Sequence, residues 1–232
     1  MLFGLFRFDW TILIVLPALF FSLWAQFKVQ STYKKYSTFP TRRGMTGAQA
    51  ARQILDQNGL QHVAIEHIRG ELNDHYDPRA NVIRLSDAVH DSQSAAAIGV
   101  AAHEAGHAVQ YAKGYAPMKI RALIIPTTRV GSVLAIPLFF LGLFFASDAL
   151  MLVGILLYAT IALFQLATLP VEFNASGRAM AVLRTSGMLE REEQDAAKEV
   201  LTAAAMTYVA ALVSSLLTLL RLLVLAGGRR RN

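Results

Sequence analysis

The sequence of 232 residues contains no cysteine. This absence excludes a disulfide framework, an iron–sulfur cluster held by thiolates and a zinc site built from cysteine. Charged residues are also scarce, because they make up 16% of the chain against about 25% in an ordinary soluble domain. Apolar residues make up 54%, which excludes a disordered chain. Any zinc site in this chain would therefore lack thiolate ligands.

The apolar residues are concentrated in four blocks that are nearly free of charge. Each block is at least as long as the roughly 17 residues that the shortest bilayer span requires. A buried core helix is the alternative for a single block, but four blocks leave too little other chain to surround them. We therefore predict a mainly α-helical integral membrane protein with four transmembrane helices. The blocks are residues 11–27, 130–147, 149–169 and 200–226.

Isolated charges near these blocks refine the prediction. Asp148 separates the second and third blocks, which together are too long for one span, so we predict a transmembrane hairpin with Asp148 at its tip. Arg221 lies near the end of the fourth block, where its long side chain can reach the membrane interface. The first block could instead be a cleaved signal peptide. We predict an uncleaved anchor, because Asp9 balances Arg7 and no small-residue cleavage site follows Phe27.

The two polar stretches, residues 28–129 and 172–199, fall on the same side of a membrane that is crossed four times. They hold most of the 22 basic residues, so the positive-inside rule favours a cytoplasmic location. The basic residues 229–231 at the C-terminus favour the opposite orientation. Basic residues beside spans also favour anionic lipid over nucleic acid as a partner.

Two helices are indicated within the first polar stretch. The pair Thr46 and Gln49 has the spacing of a capping box and predicts a helix over residues 48–57. Asp91 or Ser92 is expected to cap a longer, alanine-rich helix that reaches about Ala112.

Two short strands are predicted beside these helices. Apolar and polar residues alternate in residues 60–68, and turn residues precede the apolar run of residues 82–85. Together these elements predict a small α+β region. The second strand could offer its edge to an extended peptide, as strand addition requires.

The long helix contains the sequence His103-Glu104-Ala105-Gly106-His107. Residues four apart share one face of a helix, so both imidazoles can bind one zinc ion while Glu104 reaches a zinc-activated water as general base. The alternative is a helix with two surface histidines and an incidental glutamate. Small apolar residues surround both histidines, and buried polar groups need partners, so the metal site is favoured.

A catalytic zinc site needs a third protein ligand, and its identity defines the subclass. The position where a metzincin has its third histidine is Lys113, and Asp148 would lie about 30 Å away across the bilayer. Glu172 directly follows the third span, in a stretch without other acids, and is the favoured ligand. The alternatives lie in a charge-dense run that is typical of a solvated helix face: Glu190, Glu192, Glu193 and Glu199.

Further polar residues are candidates for supporting roles. Asn174 and Ser176 could bond to the nitrogen of a ligand histidine that does not face the metal. His75, Tyr76 and Arg178 could stabilise the negative charge that develops on the substrate oxygen. Ordinary surface or turn structure is the alternative for each of these three.

The chain divides by composition into five segments. These are an N-terminal transmembrane anchor (1–27), a catalytic region with the two histidines (28–129), a transmembrane hairpin (130–170), a helix with the third ligand (171–199) and a C-terminal span with a basic tail (200–232).

Four runs of sequence resemble the YugP-type membrane zinc metallopeptidases of bacteria: residues 75–78, 85–86, 99–110 and 169–173. The order of one span, catalytic region, hairpin and final span is similar too. The resemblance implies a zincin-like catalytic region at the face of the bacterial plasma membrane and a neutral endopeptidase of the gluzincin kind, distantly similar to the HtpX peptidases. It also implies one Zn²⁺ per chain bound by His103, His107 and Glu172, with Glu104 as the catalytic base.

The chain departs from the family pattern at Asn174 and Gly177, where an aspartate and a basic residue are expected. The predicted function is hydrolysis of peptide bonds in membrane proteins or in protein segments close to the membrane. The alternative is a non-catalytic adaptor or chaperone that zinc stabilises. Zinc transport is disfavoured, because the predicted spans contain no histidine and almost no acid.

Overall fold

A computed structural model of the chain describes residues 9–229. Arg7 and the last three residues, including Arg230 and Arg231, lie outside the described residues. The described chain forms six helices and three strands. These are α1 (Ile12–Ser37), α2 (Gly47–Gln57), β1 (Ala64–Ile68), β2 (His75–Asp77), β3 (Val82–Ser86), α3 (Ala95–Ala112), α4 (Ala116–Phe144), α5 (Asp148–Thr185) and α6 (Arg191–Arg229).

The chain separates into two compact units. The helical unit, so far as it is described, comprises Met1–Trp24, Arg121–Ala167 and Val209–Asn232. The mixed unit comprises Ala25–Ile120 and Thr168–Tyr208. The four long helices, α1, α4, α5 and α6, contribute residues to both units.

The four predicted transmembrane helices are confirmed in the described part of the chain. Four helices are long and apolar enough to cross a membrane: Ile12–Ser37, Ala116–Phe144, Asp148–Thr185 and Arg191–Gly228. Large apolar side chains of the helical unit are exposed, including Phe20, Leu123 and Phe144. Such exposure suits a surface in contact with lipid rather than water. The protein is therefore a mainly α-helical membrane protein with a small α+β region.

The predicted hairpin is formed by α4 and α5, and Asp148 begins the second helix after a short turn. The two helices approach closely at Gly154, where a Cβ atom would lie 2.7 Å from the backbone nitrogen of Phe139. In a bilayer the hydrophobic effect does not drive helices together, and small residues at such contacts let the two backbones approach closely and gain van der Waals contact.

Arg221 is held by protein groups within the helical unit. Its guanidinium donates to the Asp9 carboxylate at 2.6 Å and to the Thr11 hydroxyl at 3.1 Å. Asp9 lies just before the first apolar block, so this ion pair agrees with the expectation that the Arg221 side chain reaches toward the end of the span.

The helices extend beyond the apolar blocks. The predicted segment boundaries at 27, 129, 170 and 199 mark changes of composition, and each falls inside a continuous helix. Backbone hydrogen bonds within a helix do not depend on whether the side chains are apolar, so a helix can leave a predicted span without a break. The segment 171–199 is divided between α5 and α6 by a short connection.

In the mixed unit, α2 follows the second half of α1, and its predicted capping box is present. The Thr46 hydroxyl accepts from the Gln49 backbone, and the Gln49 side chain accepts from the Thr46 backbone. The cap of α3 is Ser94, whose side chain accepts from the backbone of Ala97. The prediction of Asp91 or Ser92 as cap was wrong, because residues 91–93 are not helical and the Gln93 carbonyl accepts from the backbone of Thr41, so α3 begins at Ala95.

The three strands form one sheet in the order β1-β3-β2. β3 pairs parallel with β1 and antiparallel with β2. Both edges of β3 are therefore occupied, and the expectation that this strand accepts a peptide was wrong. The three-residue strand β2 was not predicted, because it is too short to show alternation. It forms an outer edge of the sheet.

Candidate metal centre

The close approach of α3 to α5 sets the position of the candidate site. α3 is rich in alanine, and at Gly106 a Cβ atom would lie 2.8 Å from the backbone oxygen of Ala175 on α5. This contact requires glycine, because any side chain would push the helices apart. Glu172 lies on α5 three residues before Ala175, so the contact brings its carboxylate to the histidines of α3.

Three potential ligand atoms converge at this contact. The Glu172 Oε2 atom lies 3.3 Å from Nε2 of His103 and 3.4 Å from Nε2 of His107. The imidazole rings are nearly perpendicular, at 84°, with centroids 4.6 Å apart. Glu172 and His107 are buried, with 3% and 8% exposure, and His103 is partly buried. The structure thus brings together the three residues that were predicted as ligands.

The spacing of these atoms fits a zinc ion. Tetrahedral zinc with bonds of about 2.0–2.1 Å separates its ligand atoms by about 3.3 Å. A direct bond between a charged imidazole and a carboxylate is shorter, about 2.7–2.9 Å. The observed 3.3 Å and 3.4 Å therefore match shared coordination better than direct ion pairs.

Burial lowers the pKa of His107, but the bond to Glu172 and the charges of Glu172 and Glu104 outweigh it and raise the pKa.

The other nitrogen of each histidine has its own partner. Nδ1 of His103 lies 3.1 Å from the Ser176 hydroxyl, and Nδ1 of His107 lies 3.0 Å from Oε1 of Gln110. When Nδ1 carries the hydrogen and donates it, Nε2 keeps the lone pair that a metal needs. The Gln110 oxygen can only accept, so it favours the His107 tautomer with hydrogen on Nδ1 and a free lone pair on Nε2. The Ser176 hydroxyl can accept from Nδ1 of His103 in the same way.

Gln110 is a functional candidate that the sequence reasoning missed. It is fully buried, and its Nε2 donates to the Val171 backbone oxygen at 2.8 Å and to Asn174 Oδ1 at 3.0 Å. These two acceptors fix the amide so that its oxygen faces His107. The spacing of three residues between His107 and Gln110, on one helix face, was the signal that could have revealed the contact.

Asn174 supports the site through Gln110 and does not contact a histidine directly in the described structure. Its Oδ1 also accepts from Nε of Arg178 at 2.8 Å. Arg178 is thus tied to the back of the site through Asn174. This arrangement differs from the predicted role of Arg178 near the substrate oxygen.

Glu104 is buried beside the histidines at 7% exposure, and its Oε2 accepts from the backbone nitrogen of Tyr76 at 2.9 Å. The bond places β2 next to α3. In an antiparallel strand, the N–H and the C=O of one residue point to the same side of the strand. The Tyr76 N–H points to Glu104, away from β3, so the Tyr76 carbonyl also faces the outer edge of β2.

The side chains of His75 and Tyr76 have other partners. His75 is exposed, and its Nδ1 lies 2.8 Å from the backbone oxygen of Asn73. The Tyr76 hydroxyl donates to Asn81 at 2.9 Å, and burial raises its pKa to about 12. The contribution of Tyr76 to the site is therefore its backbone N–H, while its hydroxyl organises the turn after β2.

A second group of potential ligands lies on the surface, formed by His67, His90 and Asp91. Its imidazoles are stacked at 16°, so their lone pairs run nearly parallel and do not converge on one point. His67 also pairs with Asp87 at 2.8 Å. The group on α3 and α5 is buried and convergent, and it is the better candidate for a resident metal.

Comparisons with known proteins give matches over nearly the whole chain. The family model described as "Putative neutral zinc metallopeptidase" matches residues 11–227. The chain is 45% identical over 222 residues to the "Putative membrane protease YugP" of Bacillus subtilis (strain 168), covering 95% of this chain and 99% of that protein. No solved structure gives a significant match. The extent of these matches, taken with the two histidines and the glutamate at the contact of α3 and α5, shows that the chain belongs to the neutral zinc metallopeptidase family.

Proposed function

We propose that this protein is a membrane-bound zinc endopeptidase of the gluzincin type. The observation that carries the proposal is the position of Glu104. Its carboxylate is buried beside the three convergent ligand atoms but is not one of them. A purely structural metal site has no need of a second carboxylate held beside its ligands. Our proposal assigns one zinc ion per chain to His103, His107 and Glu172.

When bound, zinc would supply a Lewis acid that polarises the substrate carbonyl and lowers the pKa of water. Glu104 is the general base that accepts the proton of the attacking water and then delivers it to the leaving amine. The Tyr76 N–H bond holds one carboxylate oxygen, Oε2, and leaves the other available for the proton. Ser176 and Gln110 keep the imidazoles oriented throughout the cycle.

The substrate chain lies along the outer edge of β2. This edge borders Glu104, and the Tyr76 carbonyl provides an acceptor for a substrate N–H. An extended peptide added there would run past the proposed base and ligands. This role replaces the one expected for β3, which is paired on both sides.

The substrates we propose are membrane proteins and unfolded segments next to the bilayer. Glu172 lies only three residues after the third apolar block, on the same helix, a rise of about 5 Å along the axis. We assign the catalytic region to the cytoplasmic side of a bacterial plasma membrane, because basic residues follow the first span directly, including Lys28, Lys34 and Lys35.

The decisive experiment compares the wild type with Glu104→Gln in detergent and in liposomes. We expect Glu104→Gln to retain one zinc per chain and to lose cleavage of an unfolded protein substrate by at least about a hundredfold. Glu192→Gln, an exposed acid at the start of α6, is the matched control and should cleave as the wild type does.

Equal behaviour of wild type and Glu104→Gln would reject the peptidase and favour the zinc-stabilised adaptor. Cleavage of soluble peptides alone, with membrane substrates in the same liposomes untouched, would reject the substrate proposal and leave the chemistry standing.

A further inference from the structure

A groove between α5 and α6 in the mixed unit has no role in the chemistry described above. Its volume is about 340 Å³, within the range of about 300–1,000 Å³ that is usual for ligand sites. Buried apolar residues from both helices form its floor: Met180, Leu201 and Ala205. We call this feature the α5–α6 groove.

One end of the groove is next to the candidate metal centre. Ser176 and Phe173 line it there. Ser176 is the residue whose hydroxyl contacts His103, and Phe173 directly follows Glu172 in the chain. A chain that leaves the metal centre along α5 would therefore enter this groove.

Arg184 and Lys198 line the groove farther from the metal centre. Both side chains are exposed, and neither forms an ion pair with an acid in the described part of the chain. Asp195 lies one helical turn before Lys198 and does not pair with it either. Two unpaired cations above an apolar floor complement an occupant that is apolar in the middle and acidic at one end.

The distance between the two ends defines the length of the occupant. Ser176 and Arg184 are eight residues apart on α5, which corresponds to about 12 Å along the helix axis. An extended peptide covers about 3.3 Å per residue, so three or four residues bridge this distance.

We infer that the α5–α6 groove binds the substrate peptide on one side of the cleaved bond and selects an aspartate or glutamate three or four residues from that bond. Apolar side chains of the intervening residues rest on Met180 and Leu201, and the acidic side chain reaches Arg184 and Lys198. This inference rests on the proposed peptidase function.

The test uses the full-length enzyme and a mixed library of unfolded peptides, with the cleaved bonds identified by mass spectrometry. Wild type should cleave bonds with aspartate or glutamate enriched at the third or fourth position on one side. The double variant Arg184→Gln/Lys198→Gln should lose this enrichment. Its kcat/KM for the best acidic peptide should fall about tenfold, with little change for the matching glutamine peptide.

Two further variants separate recognition from folding. Arg184→Glu/Lys198→Glu should invert the preference toward lysine or arginine at the same position, which an unfolded protein cannot do. Arg69→Gln/Arg191→Gln removes the same net charge outside the groove and should keep the acidic preference. Zinc content and thermal unfolding are measured for each variant.

Cleavage without any acidic preference in the wild type would overturn this inference and leave the peptidase proposal intact. Absence of cleavage by wild type and Glu104→Gln alike would instead reject the proposed function. If the groove variants change binding to phosphatidylglycerol vesicles and leave peptide preference unaltered, a lipid headgroup occupies the groove and the inference is wrong.

Discussion

Gly106 on α3 meets the backbone oxygen of Ala175 on α5 at a distance that leaves no room for a side chain. This contact sets the distance between the two histidines on α3 and Glu172 on α5. Gly106→Ala should therefore separate the helices, lower the free energy of unfolding by about 1–3 kcal/mol and weaken zinc binding at least about tenfold.

Thermal unfolding and zinc competition against a chelator measure both effects of Gly106→Ala. Gly177→Ala is the matched control, because a Cβ atom there meets nothing within 4 Å. It should keep its zinc affinity, and its stability should stay level or rise by about 0.5–1 kcal/mol. Equal zinc affinity of the two variants would show that the helix contact does not set the site.

Gln110→Leu tests whether the buried amide orients His107. The substitution removes the acceptor for Nδ1 of His107 and the amide that donates to the Val171 oxygen. We expect zinc affinity to fall about 10–100-fold and the visible spectrum of the Co²⁺-loaded protein to change.

Asn174→Ala keeps the bond between Gln110 and His107 and should cause a smaller loss of affinity. Gln57→Leu alters an exposed glutamine on α2 and serves as the control. An unchanged spectrum and affinity in Gln110→Leu would argue that Gln110 only fills space.

Zinc stoichiometry distinguishes the two groups of potential ligands. The double variant His67→Ala/His90→Ala should keep one tightly bound zinc per chain, because its stacked imidazoles do not converge. His103→Ala/His107→Ala should bind none tightly. Metal analysis after exhaustive dialysis gives both values, and loss of zinc from the first double variant would reverse the assignment.

The ion pair of Arg221 with Asp9 should stabilise the helical unit by about 1 kcal/mol, since both groups are partly exposed. A double-mutant cycle of Arg221→Gln and Asp9→Asn in one detergent measures this coupling energy directly. Arg129→Gln is the control for loss of a basic residue in the same unit. Additive effects of the two substitutions would mean that the pair contributes nothing.

The sequence predicted the features that short-range physical rules determine. A bilayer demands long apolar runs, so the four spans and the hairpin at Asp148 were visible directly. The spacing of four residues placed His103 and His107 on one helix face, and the lack of other acids around Glu172 favoured it over the acids of residues 190–199. The capping box at Thr46 is equally local.

The missed features depend on contacts between distant residues. β2 has three residues and is defined by its pairing with β3. Gln110 acquires its role from Val171 and Asn174, which are about sixty residues away in sequence. The helix ends beyond the apolar blocks are set by packing within the mixed unit, which no local pattern reveals.

The order of the ligands along the chain has a consequence for biosynthesis. The two histidines are synthesised about sixty-five residues before Glu172, and Glu172 lies on the helix that also carries the third apolar block. A nascent chain that has exposed His103 and Glu104 still lacks the third ligand until this late helix has emerged. Under the proposed assignment, the growing polypeptide therefore stays inactive on the ribosome, and proteolytic capacity arises only once most of the protein has been translated.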